Sequence, residues 1–391
     1  MPRCPRIPWP AWTRRRCVGP VDLDDSDLEF RHEVRTWLHD NVPGQLSSMD
    51  SADGFEQHRE WERTLAKARL SAVSWPAEHG GRGASLTQWL VFEEEYWAAG
   101  APGRVAQNGI FLLAPTLYAH GTEEQQNRLL PRMARAEDIW AQAWSEPEAG
   151  SDLAAIRSRG VRTSGGWLLT GQKTWSSRAA FADKGFGLFR TEPEAERHRG
   201  LTYFLFDLRA SGVTVRPIPQ LDGEAGFAEI FLDEVFVPDA DVLGEPGAGW
   251  RVAMSTAGNE RGLSLRSPGR FCAAADRLIE LWREVGDPAD TALRDKVLDA
   301  WMGAQAYRLH VFGSLDRPVG AEASVTKLFW SQLDLSLHET ALELLGPDAE
   351  LAGQPGSWLD GYLFALAGPI YAGTNEIQRN VVAERLLGLP R

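Results

Sequence analysis

The sequence predicts a multi-domain α+β chain built in three consecutive parts, helical, then strand-rich, then helical again. Two observations carry this. Apolar residues recur at helical spacing up to about Arg135, at a spacing of two between about Asp138 and Val242, and at helical spacing again to Leu387. The length of 391 residues suits two or three packed units of about 100 to 200 residues each. The expected parts are an N-terminal α-helical domain over residues 21–135, a middle β-barrel over 136–243 and a C-terminal four-helix bundle over 244–391, with residues 1–20 a disordered or mis-called extension.

Residues 1–20 contain prolines, two tryptophans and Arg14-Arg15-Arg16 with no apolar segment behind them, so they do not read as a secretory or twin-arginine signal. At Val21 the text changes to an acidic, helix-like run, and translation is expected to start there. Leu28, Val34, Trp37 and Leu38 mark one helix, and Trp61, Leu65, Ala68 and Arg69 a second. The run Trp75-Pro76-Ala77-Glu78-His79-Gly80-Gly81-Arg82-Gly83 is a rigid connection. Strands are expected at 167–170, 201–206, 213–215 and 228–232, where short apolar or β-branched runs are separated by turn residues. After Gly244 to Trp250 the helical period returns, broken at Gly286-Asp287-Pro288, at Asp316 to Gly320 and at Leu345 to Gly356.

Composition narrows the function classes. At 43% hydrophobic and 24% charged the chain matches ordinary soluble proteins, and no apolar run reaches the roughly 18 residues a membrane span needs. A net charge of −13 opposes general nucleic-acid binding, because phosphate backbones are held by clustered Lys and Arg. Cys4, Cys17 and Cys272 form no Cys-x-x-Cys pair, so neither a disulfide framework nor a zinc site is indicated, and a cytoplasmic location fits. His58, His310 and His338 read as ordinary helix-surface or core residues, and no metal is assigned.

Three runs stand out as carriers of chemistry: Trp144-Ser145-Glu146-Pro147-Glu148-Ala149-Gly150-Ser151-Asp152, Gly171-Gln172-Lys173-Thr174-Trp175-Ser176-Ser177, and Tyr371-Ala372-Gly373-Thr374-Asn375-Glu376-Ile377-Gln378-Arg379. In type, order and distance from the C-terminus they resemble the flavin-holding and active-site signatures of the acyl-CoA dehydrogenase family. The resemblance covers Val21 to Arg391 and implies that family's fold, with FAD as cofactor. By this resemblance Ser145 meets the flavin ring, with Gln142 and Trp144 just before it, and Trp175 and Ser177 cover the other edge. Thr374 and Glu376 match positions contacting the ADP half of FAD, and Ser151 the serine at the thioester end of the substrate. Sixteen tryptophans give Trp175 no privilege by composition; its place in the run does.

In this family a carboxylate removes the α-proton of an acyl-CoA thioester while the flavin accepts the β-hydrogen with its electron pair. Many members carry that base between the Tyr and Gly of the C-terminal run, where this chain has Ala372, whose methyl group cannot accept a proton. Members resembling the isovaleryl-CoA and long-chain types carry it in an x-Glu-Arg run on an earlier helix, and Asn259-Glu260-Arg261 stands at the matching site. Glu260 is therefore the expected catalytic base, on one helical face with Ala253, Thr256, Ala257 and Ser264, small residues that leave room for a substrate. Arg261 either orients the base, meets substrate or forms a structural salt bridge. The family's enolate-stabilising donor is the backbone N–H at position 372, beside Gly373, and a main-chain donor survives substitution by alanine. Burial by substrate and flavin is expected to raise the Glu260 pKa.

Two departures bear on assembly. Many homotetrameric members have an Arg-x-x-Phe-Gly run and a later Gly-Gly-x-Gly loop that grip a neighbour's FAD; here the positions read Leu281-Trp282-Arg283-Glu284-Val285-Gly286-Asp287-Pro288 and Leu344-Leu345-Gly346-Pro347-Asp348. This resembles an actinobacterial branch that includes heterotetrameric steroid side-chain enzymes. The expected activity is FAD-dependent α,β-dehydrogenation of a branched, bulky or steroid-derived acyl-CoA, with electron transfer flavoprotein as acceptor. The expected assembly is a homo-oligomer or a heterotetramer with a second acyl-CoA dehydrogenase-like subunit. The alternatives are a noncatalytic or half-site subunit, a biosynthetic acyl-carrier-protein dehydrogenase, or a flavin oxidase on the same fold.

Overall fold

The computed structural model describes residues 21, 23–261, 267–315, 320–351 and 357–390, the side chains at 259–261 and 351 excepted. The extension expected at 1–20 lies outside the described residues, as do Ser264 and most of the break expected at 316–320. Among the described residues, five helices come first: α1 (Asp25–Asn41), α2 (Ala52–Lys67), α3 (Leu86–Ala98), α4 (Ala114–His120) and α5 (Glu123–Ala134). Side-chain caps fix their starts. Asp24 accepts from the Asp27 N–H at 2.8 Å, and Ser85 with Gln88 and Thr122 with Gln125 close reciprocal capping boxes. A π-helical segment, Asn108–Leu113, runs straight into α4. The Ala114 N–H reaches back to the Gly109 carbonyl and Pro115 has no N–H to offer, so the coil widens there.

The buried stripe of α1 is Phe30, Val34 and Leu38, spaced by four, and Leu28 is 49% exposed. The expected stripe was thus misplaced at its start, because residues two apart on a helix point to nearly opposite sides. Ala68 and Arg69, expected within the second helix, lie past its end, where Arg69 takes φ 56°.

Eight strands follow: β1 (Trp140–Ala143), β2 (Arg159–Thr163), β3 (Gly166–Ser177), β4 (Lys184–Arg190), β5 (Leu201–Asp207), β6 (Val213–Ile218), β7 (Phe227–Pro238) and β8 (Val242–Leu243). As expected for the middle part, these strands make one continuous β unit: the described pairings give an eight-stranded sheet with the path β6-β7-β3-β2-β4-β5-β8, and β1 lies parallel to β4. The four expected strand runs fall in β3, β5, β6 and β7. β4 escaped the period-two reading because its five central residues are all buried, leaving little alternation to detect.

The C-terminal part contains α6 (Gly249–Arg261), α7 (Pro268–Val285), α8 (Thr291–Phe312) and α9 (Glu322–Leu345), then the short α10 (Trp358–Ala365) and α11 (Asn375–Val381). Asp290 caps α8, so the expected break at residues 286–288 is real. Among the described residues, no helix is long and apolar enough to cross a membrane.

Two cores divide the molecule differently from the chain order. One joins the sheet to the π segment, α4 and α5, with Val252 and Ala253 of α6. The other joins α1, α3 and Trp61 and Leu65 of α2 to α7, α8 and α9. The N-terminal helices therefore pack on both the sheet and the bundle, and Phe111 of the π segment packs on both cores. The buried Arg59 fastens α2 to the sheet, pairing with Asp183 at 2.9 Å and donating to the Ala136 carbonyl at 3.0 Å.

Candidate active site

Two of the chemistry-bearing runs are held side by side on the sheet. After β1 the chain makes a tight reversal in which the Glu146 and Ala149 main chains exchange two hydrogen bonds of 3.0 Å around Pro147 and Glu148. Just before it, the Ser145 carbonyl accepts from the Thr174 N–H at 2.9 Å. On β3, the register against β7 passes from Lys173 opposite Ile230 to Ser176 opposite Ala228, so Thr174 and Trp175 together face the single residue Glu229. This is a β-bulge. Its extra residue, Trp175, sits at φ 58° with its indole 60% exposed and edge-on to Phe227. A large aromatic held in a left-handed conformation, costing roughly 1–2 kcal/mol, and turned out toward solvent is placed for something other than core packing.

Gln142 and Ser145 are half-buried beside this bulge, as is Ser177 at the end of β3. Among the described residues, the Ser145 and Ser177 hydroxyls make no hydrogen bond to protein, so both are free for a ligand. Trp144 differs. Its indole is 8% exposed and edge-on to Tyr203, so the side chain belongs to the sheet core. Ser151 is exposed, next to Asp152, which pairs with Arg197 at 2.9 Å.

Helix α6 carries the Asn259-Glu260-Arg261 run at its C-terminal end, and those three side chains lie outside the described residues. The helix packs on the π segment and α4, on β5 and β4, and on α9. Of its small residues, Ala253 and Thr256 are fully buried and Ala257 half-buried, so the first two serve close packing and leave no open space beside them.

The third run crosses α9. Tyr371 stacks on Trp330, and Ala372 takes φ 56° and Gly373 φ 78°. Among the described residues, the Ala372 N–H makes no hydrogen bond, while the Ala372 and Gly373 carbonyls accept from the buried Gln378 amide at 3.0 and 3.3 Å. Thr374 caps α11 by accepting from the Ile377 N–H at 3.3 Å. The exposed Glu376 carboxyl is held below its ordinary value by its own N–H and then by the Thr374 hydroxyl. Asn375 is anchored beneath by Lys327 at 2.7 Å and Ser331 at 3.2 Å.

Several residues that shape this site were not singled out from the sequence: Gln378, Asn375 and Lys327 here, and Glu146 and Lys173 on the sheet. For Lys173 a signal existed. It shares the inward parity of Trp167 and Leu169 along β3, where a charge is out of place unless it has a buried partner.

Family models match all three parts: the acyl-CoA dehydrogenase N-terminal domain over residues 24–137, its middle domain over 141–235 and its C-terminal domain over 247–387. The chain belongs to the acyl-CoA dehydrogenase family of flavoprotein oxidoreductases, enzymes acting on acyl-CoA thioesters. Among its relatives, acyl-CoA dehydrogenase IpdE1 of Mycolicibacterium smegmatis is 40% identical over 383 residues, covering 93% of this chain and 98% of that one. The protein of the same name from Mycobacterium tuberculosis is 41% identical over 381 residues, with the same coverage of 93% and 98%. Among solved structures, the ChsE4-ChsE5 complex from Mycobacterium tuberculosis superposes with a TM-score of 0.83 at 29% identity, over 95% of this chain and 100% of that one. The Tcur3481-Tcur3483 steroid ACAD gives 0.83 at 26% identity with the same coverage of 95% and 100%.

Proposed function

We propose that this chain is an FAD-dependent acyl-CoA dehydrogenase whose catalytic base is Glu260, acting on a branched, bulky or steroid-derived acyl-CoA in the cytoplasm, with electron transfer flavoprotein as acceptor. The observation that carries the cofactor reading is the main-chain bond between Ser145 and Thr174, which sets a free hydroxyl beside an outward-facing tryptophan on a bulge. Gln142, Ser145, Trp175 and Ser177 would hold the flavin ring, and Thr374 and Glu376 the far end of FAD. Bound there, FAD supplies a two-electron acceptor for the β-hydrogen.

The protein's own part is proton chemistry. Ala372 offers no carboxylate but does offer an unengaged N–H, in a loop whose Ala372 and Gly373 carbonyls are held by the Gln378 amide. A donor held in advance stabilises the negative charge that develops on the thioester oxygen as the α-proton leaves. Glu260, at the end of a helix packed against both sheet and bundle, receives that proton; Ser151, Gly373 and Arg261 are the remaining substrate contacts. A steroid-derived acyl group is supported by the name of one structural neighbour, and a heteromeric assembly by the paired subunits named in both. The partner we infer is another chain of the same family, seated on the exposed apolar faces of α8 and α9.

The test is anaerobic flavin bleaching by straight, branched and steroid side-chain acyl-CoAs, with Glu260→Gln in parallel. Bleaching by the wild type and none by the variant supports the reading and selects the substrate class. Equal bleaching by both proteins would remove Glu260 from the mechanism. Retention of FAD only after co-expression with a related chain would favour the half-site reading, for which the absent Arg-x-x-Phe-Gly run over residues 281–288 argues.

A further inference from the structure

Lys173 is fully buried in the middle of β3, and the Glu146 side chain that pairs with it at 2.8 Å is 8% exposed. Taking two charges out of water costs several kcal/mol per ion unless hydrogen bonds satisfy what the pair leaves over. Here they do. Besides Lys173, Glu146 Oε1 accepts from the Ser158 N–H at 2.9 Å, and Oε2 accepts from the Arg157 N–H at 2.6 Å. The Lys173 ammonium also donates to the Leu188 carbonyl of β4 at 2.8 Å and to the Trp144 carbonyl at 3.4 Å, and lies 4.7 Å from the centre of the Phe189 ring. Burial pushes the Glu146 carboxyl up, but Lys173, the Arg157 N–H and the Ser158 side chain outweigh it and hold the carboxyl below its ordinary value.

An apolar pair of the same volume would fill this space at no electrostatic cost. The charged pair adds direction, because a hydrogen-bonded ammonium fixes three segments relative to one another where methylene groups would slide. Glu146 directly follows Ser145. Lys173 is the last regularly paired residue before the bulge that turns Trp175 outward. Resting on the FAD reading above, we propose that Lys173 and Glu146 are positioning residues for the flavin: the pair locks the turn bearing Ser145 to the bulge bearing Trp175, so that both segments meet the cofactor already in register.

The test compares Lys173→Met with Arg104→Met. The control breaks another buried pair, Arg104 with Glu62 at 2.8 Å, whose side chains are 5% and 1% exposed, and it lies among the N-terminal helices away from both segments. Hydrogen–deuterium exchange is read at the Thr174, Arg157 and Ser158 amides relative to those of the β4–β5 pair, and FAD dissociation is read by flavin fluorescence on folded protein. In Lys173→Met the three amides should exchange about tenfold faster or more, and the FAD dissociation constant should rise about tenfold or more. Arg104→Met should lose thermal stability while keeping both. Glu146→Gln, which preserves an acceptor and opens no cavity, replaces Lys173→Met if that variant does not fold. Unchanged exchange overturns the lock. Faster exchange with unchanged FAD affinity overturns its role for the flavin. A wild-type chain that takes up no FAD, alone or beside a related chain, refutes the cofactor reading and the flavin role with it, while the exchange data still decide the lock.

Discussion

Thr116 Oγ1 and Thr256 Oγ1 lie 2.9 Å apart in the buried seam between α4 and α6, and the Tyr203 hydroxyl of β5 stands 3.3 Å from the same Thr256 oxygen. One side chain thus ties together all three parts of the molecule, one helical turn before Glu260. Thr256→Val keeps the shape and deletes the shared oxygen. Chemical unfolding should show a loss of about 1–2 kcal/mol, and Thr256→Ser a smaller one. Because this contact sets where α6 lies against the sheet, kcat should fall in Thr256→Val more than KM changes. A loss of stability with untouched kcat would separate the seam from the chemistry.

Ala372 is held at φ 56°, where a side chain costs roughly 1–2 kcal/mol relative to glycine. Ala372→Gly relieves that strain at the expense of a more flexible unfolded chain, worth about 0.5–1 kcal/mol. Its melting temperature should therefore match or slightly exceed the wild type's, with activity retained because the N–H is main chain. Gln378→Leu does the opposite. It removes the donor to both carbonyls of the loop and should lower kcat strongly, with a loss of about 1–2 kcal/mol in stability.

How far the site could be read from the sequence depended on the kind of interaction. Motif-bearing segments such as 144–152 and 371–379 were legible because their residue order is itself the signal. The helical parts were legible in their period but not always in phase, as Leu28 shows, since a short stripe fits two adjacent registers equally well. The bulge at Trp175 was hidden because it depends on β7, whose pairing partner no local pattern names. The Lys173–Glu146 and Lys327–Asn375 contacts join residues 27 and 48 positions apart, and long-range polar pairing has no periodicity to betray it.

Glu93 gives a pH signature. Burial pushes its carboxyl above the ordinary value, against the pull of Arg104 and of hydrogen bonds from Ser267 at 2.9 Å and Trp97 at 3.2 Å. Between the ordinary and the raised value the folded chain keeps a proton that the unfolded chain has released. The contribution of Glu93 is therefore complete below the usual carboxylate range, near pH 4, and is lost as pH rises through the folded value. Glu93→Gln keeps an acceptor for both donors and never ionises. Thermal melts of the variant should gain on the wild type's as pH rises above the usual carboxylate range and converge with them toward about pH 4. A constant offset across that range would mean that Glu93 is not the titrating group.

Leu298, Trp301 and Met302 follow the three-and-four spacing of one face of α8, and Val325 and Phe329 lie one turn apart on α9, which packs against α8; their exposures run from 36% to 52%. A Cβ on Gly303 would come within 4.0 Å of the Phe329 ring, and Tyr307 holds that ring at 6.0 Å between centres, so the two rows adjoin. Contiguous apolar surface of this kind is costly on a free monomer and marks a contact face. Phe329→Glu places a charge at its centre without entering the core, so the isolated chain should lose no more than about 0.5 kcal/mol. Light scattering should nevertheless report a smaller assembly, and co-purification of a related subunit should weaken. An unchanged mass would move the interface elsewhere, and a collapse of the melting temperature would show that Phe329 belongs to the interior after all.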